Sequence, residues 1–119
     1  MCNAAWDEVQ EKLSRTCVDM QKAVKASSKV YQAGLSLDTP STRQQVAITA
    51  LEEALQGAER LVEELSWMLK YKKAKDGEKV TVPSAKIAQA AAARSLGELV
   101  DTTKGLKVLL PQKEKETTT

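Results

Sequence analysis

Histidine and phenylalanine are absent from this 119-residue chain, and its only aromatic side chains are Trp6, Tyr31, Trp67 and Tyr71. Without an imidazole there is no Ser-His-Asp or Cys-His nucleophilic system, no His general base, and no zinc, copper or non-haem iron site of the usual ligand sets. The two cysteines, Cys2 and Cys17, form neither a CxxC redox pair nor a zinc half-site and read as ordinary thiols. No glycine-rich phosphate loop is present, and no stretch reaches the ~18 to 20 uncharged apolar residues needed to cross a bilayer. Asp7 and Glu8 leave no space for a secretory apolar segment, so a cytoplasmic compartment is the expectation. These absences point to a non-enzymatic protein with no cofactor and no metal.

Glycine (5) and proline (3) are also scarce, and the breaks in the helical pattern fall at 34–40, 76–83 and from 111 on, leaving three long segments between them. In the first, Trp6, Val9, Leu13, Cys17, Met20, Val24, Ser27 and Tyr31 recur at alternating steps of three and four, the apolar stripe of a helix. Asn3 is a candidate N-cap and Gly34 a candidate left-handed C′ residue. In the second, Ile48, Leu51, Leu55, Ala58, Val62, Leu65 and Leu69 form a heptad seam, widened on one side by Ala47, Ala54, Leu61 and Met68. A seam of that width suits a helix with two neighbours better than a two-stranded coiled coil. Thr39 is the candidate cap there, with Pro40 in the first turn, and Gly57 suggests a close packing contact. The third stripe is Ala88, Ala92, Leu96, Leu99, Thr103, Leu106 and Leu110, ended by Pro111.

Helices over about 3–33, 40–75 and 84–110, joined by short loops, predict an all-α, antiparallel up-down-up three-helix bundle spanning 1–111, with a disordered tail at 112–119. The small residues Ala85, Ala88 and Ala90 to Ala93 require close helix approach in that half of the third helix. If the helices do not close there, apolar rows of the first two are left short of partners, an argument for a homodimer.

The helix 3 string from Ala90 to Leu106, AAAARSLGELVDTTKGL, resembles the small-residue helices of the talin and vinculin class, to which focal-adhesion-targeting domains broadly belong. Ala50 to Ala54 and Lys22 to Lys29 share its texture. The resemblance implies a cytoskeletal or adhesion adaptor that binds partner helices or short amphipathic motifs.

Charge is unevenly placed although the net is only +2. Residues 70 to 86 hold six lysines against two acids: Lys70, Lys72, Lys73, Lys75, Lys79 and Lys86 face Asp76 and Glu78. That run reads either as an anionic-surface site, for phosphoinositide, nucleic acid or acidic protein, or as lysines complementing a helix C-terminus and solubilising a loop. Trp67 lies off the seam, in register with Arg60, Glu63, Glu64 and Tyr71. It reads either as an interface anchor or as a cap over the bundle end against the 76–82 loop. The glutamates of the second helix read as a solvated face and not as a cation site. The expected function is that of a protein interaction module, its candidate contact residues being Trp67, Tyr71, Lys70, Lys72, Lys73 and Lys75. The partner's identity is left open.

Overall fold

A computed structural model describes residues 4–73 and 76–111. Three helices account for most of them: α1 (Ala4–Leu35), α2 (Thr42–Tyr71) and α3 (Val82–Lys107), each packed against both others. The candidate cap Asn3, Cys2 and the tail 112–119 lie outside the described residues.

The stripes read from the sequence are the faces that meet. Val9, Leu13, Cys17 and Met20 of α1, Leu51, Leu55, Ala58, Leu65 and Met68 of α2, and Ala85, Ala92, Leu99 and Leu106 of α3 form one buried cluster. Met20, Leu51, Leu65, Leu99 and Leu106 are sealed from solvent. Full burial of a Leu or Met side chain contributes roughly 1.5–3 kcal/mol, so this cluster dominates the stabilising side of folding. Ala85 and Ala92 are also fully buried, while Val9, Leu13, Leu65 and Met68 are covered as well. The helices have therefore closed over the small residues of α3, and Val9, Leu13, Leu65 and Met68 are not left short of partners there.

Polar residues on the stripes find one another. Gln89 Nε2 donates to Thr16 Oγ1 at 3.1 Å. The Thr103 hydroxyl lies 2.7 Å from Ser27 Oγ and 2.6 Å from the Leu99 carbonyl. Cys17 Sγ sits 3.5 Å from Ser66 Oγ. Among the described residues no buried side-chain polar atom lacks a partner.

Several helix ends depart from the sequence reading. Gly34 is not a left-handed cap: α1 runs through it to Leu35, and the residue is buried. A Cβ there would stand 3.0 Å from Ile48 Cγ1 and 3.1 Å from Leu106 Cδ2, so Gly34 marks a close approach of all three helices. Gly57, expected to mark a tight contact, has nothing within 4 Å of where its Cβ would be. The α2 cap is Ser41, not Thr39. Its side chain accepts from Gln44 N while the Gln44 side chain accepts from Ser41 N, a reciprocal capping box. Thr39 has no Glu or Gln three residues on to complete that exchange, which is why the cap falls two residues later. Thr81 and Ser84 make the same arrangement at α3 with Pro83 in its first turn. α2 stops at Tyr71, where Lys72 takes the left-handed conformation (φ 56°). α3 stops at Lys107, three residues before the expected end.

Candidate interaction surface

The last turns of α2 build the site. Trp67 and Tyr71 are one helical turn apart, so their side chains stand on the same face. Their ring centroids are 4.5 Å apart with planes tilted by 53°. Both remain open to solvent, at 38% and 48% of their full exposure. Lys70 Nζ stands 5.3 Å from the Tyr71 centroid, within cation–π range.

Beyond Tyr71 the chain reverses through a short turn. Lys73 and Lys79 pair as an isolated antiparallel bridge, and Val80 N donates to the Lys72 carbonyl at 3.0 Å. Gly77 occupies the left-handed region (φ +92°), and Asp76 Oδ1 accepts from Glu78 N at 2.9 Å. This geometry drops Val80 into the core. Val80 covers this end from the loop, Trp6 packs against the cluster from α1, and Lys72 Nζ lies 5.9 Å from the Trp6 ring. Trp67 keeps 38% of its surface in solvent.

The contact residues read from the sequence are thus only partly gathered. Trp67, Tyr71 and Lys70 form one contact group. Lys72 is drawn to Trp6, Lys73 is exposed on the turn, and Lys75 lies outside the described residues. Lys86 is elsewhere, lining a groove between α1 and α3 with Lys12, Glu8 and Gln89. Sequence reasoning missed Ile87, the most exposed large apolar side chain in the first half of α3, at 71%. Its signal was there to read: isoleucine off the Ala88–Ala92–Leu96 stripe in an otherwise small-residue stretch.

No family model, curated protein or solved structure matches the chain. Among the described residues no group of acidic and cysteine side chains is arranged to hold a metal ion, and no helix is long and apolar enough to cross a membrane. One phenol is perturbed away from this end. Partial burial of Tyr31 raises its pKa above the ordinary 10.0, and the Glu52 carboxylate, which accepts from its hydroxyl, pushes the same way. Glu52 itself remains exposed, in keeping with a solvated acidic face.

Proposed function

We propose that this chain is a non-enzymatic helical interaction module, a cytoplasmic adaptor or assembly subunit that presents one end of an up-down-up bundle to a partner helix or amphipathic motif. Contact order supports the topology: Thr16 meets Gln89 and Ser27 meets Thr103, whereas Cys17 meets Ser66 and Gly34 meets Ile48. With α2 and α3 opposed, the Gln44–Leu109 bond at 2.8 Å sets their register and brings Ile87 level with Ser66 and Trp67.

The observation that carries this reading is the half-exposed Trp67–Tyr71 pair, held against each other while Val80 and Trp6 cover the core beside them. Two rings that already brace one another lose little rotamer freedom on binding, the property that makes Trp and Tyr effective interface anchors. The talin and vinculin texture of α3 points toward the same class of use. An anionic ligand is less well served, because Lys70 and Lys72 lean on separate rings and do not converge on one point.

Comparative affinity purification from the native cell with wild-type and Trp67→Ala baits tests the reading. Helicity should be unchanged in the variant, since Trp67 stands outside the core, while specific partners are lost. Retention of every partner by a folded Trp67→Ala bait would falsify it.

A further inference from the structure

Away from Trp67, the cleft between α1 and α3 gathers charged groups from both helices. It has a volume of about 370 Å³ and is lined by Ala5, Glu8, Val9 and Lys12 of α1 and by Lys86 and Gln89 of α3. That volume lies in the range of small-molecule sites. Val9 is buried and gives the cleft an apolar floor. Gln89 is held in place, because its Nε2 donates to the buried Thr16 at 3.1 Å. The amide's Oε1 is left to accept. Glu8 and Lys12 stand at i and i+4, the spacing of a helical ion pair, and Arg15 with Glu11 forms one such pair nearby at 2.8 Å. Among the described residues Glu8 and Lys12 do not pair with each other, and Lys86 has no carboxylate partner.

Two ammonium groups, one carboxylate and one amide oxygen therefore line a single cleft, unspent on one another. We infer that this cleft binds a free amino acid with an acidic side chain, its two carboxylates meeting Lys12 and Lys86 and its α-ammonium meeting Glu8 and the Gln89 Oε1. The charges set the class. Two cations and one anion on the walls are matched by two anions and one cation on the ligand. A simple dicarboxylate opposes Glu8 with nothing to pair with it, and an amino acid with a neutral side chain leaves one lysine unmatched. Glu8, Lys12 and Lys86 are exposed, so solvent screens each pairing and the affinity is modest. The cleft shares no residue with the Trp67–Tyr71–Lys70 group, so loss of one site leaves the other intact.

Titration of the full, isotopically labelled chain with L-glutamate, followed through its amide chemical shifts, tests this. Saturable shifts should centre on Glu8, Lys12, Lys86 and Gln89 and leave Trp67 and Tyr71 unmoved. Lys12→Gln with Lys86→Gln changes two exposed positions, should stay helical by circular dichroism, and should weaken glutamate binding about tenfold, as the loss of two exposed ion pairs does. Glu8→Gln isolates the ammonium contact. It should weaken glutamate but not glutarate, which has the same two carboxylates and no ammonium, and the wild type should prefer glutamate to glutarate. Shifts that fail to saturate, or that keep their affinity in the lysine double variant, overturn the inference. A wild type that binds glutarate as tightly as glutamate overturns the amino acid as occupant and the role given to Glu8.

Discussion

Gly34 and Gly57 are both helical glycines, yet they answer opposite constraints. Around Gly57 the space is open, so Gly57→Ala should simply gain helix propensity and stabilise the protein by up to about 1 kcal/mol in urea unfolding. At Gly34 a methyl group requires Ile48 and Leu106 to shift by a few tenths of an ångström, which offsets that gain. Gly34→Val should cost about 1–3 kcal/mol by overpacking. Equal responses at the two positions would refute the close approach at Gly34. Tyr31 offers a second residue-scale test. Its folded pKa lies above its unfolded value, so its contribution to stability is fully present below pH 10 and is lost as pH rises through the folded pKa. Tyr31→Phe should flatten that alkaline loss, and ultraviolet titration of the wild type should show one phenol ionising later than an exposed tyrosine. Glu52→Gln should bring that ionisation back toward the ordinary value.

At the scale of the element, what joins the helix ends is a single amide. Gln44 Oε1 accepts from Ser41 N and closes the capping box, while its Nε2 donates to the Leu109 carbonyl at the far end of α3. Ser41→Ala should cost about 1 kcal/mol, as N-cap truncations do. Gln44→Glu separates the two roles. Glutamate is a good partner in a capping box, yet it brings a carboxylate to the Leu109 carbonyl in place of a donor, so this variant should be less stable than wild type in thermal melts. A neutral or stabilising result would mean that the link to α3 contributes nothing. Both partners of the box were legible in the sequence as Ser-x-x-Gln. Thr39 followed by Pro40 offered a competing start, and only the reciprocal bonds separate the two. The end of α2 was less legible still. The helical pattern runs on through the lysines, but Lys72 turns left-handed and its following turn pairs with Val80, an arrangement with no periodic signature.

For the whole molecule, the polar positions on the apolar stripes act as a register code. Ser27 is buried and its hydroxyl meets Thr103. The single Thr103 proton goes to the Leu99 carbonyl, which can only accept, so Ser27 is the donor across the α1–α3 seam. Thr103→Val should therefore cost about 1–3 kcal/mol by stranding Ser27. Adding Ser27→Ala should recover part of that loss, and a double-mutant cycle showing no coupling would break the assignment. These contacts favour one axial alignment of three otherwise smooth apolar stripes.

The all-helical class, the three segments and nearly every core position were determined by the sequence, because a period of 3.6 residues writes the buried face of a helix directly into the chain. So was the exclusion of imidazole chemistry, which composition alone decides. Tertiary structure decided that Ser27 and Thr103 are partners, that Gly34 is a point of close approach while Gly57 is not, and that Trp67 stays partly exposed while Trp6 packs on the core. The physical reason is common to all of these. Each depends on which two helices come into van der Waals contact and at what axial offset, and the side chains that set the offset lie tens of residues apart in the chain.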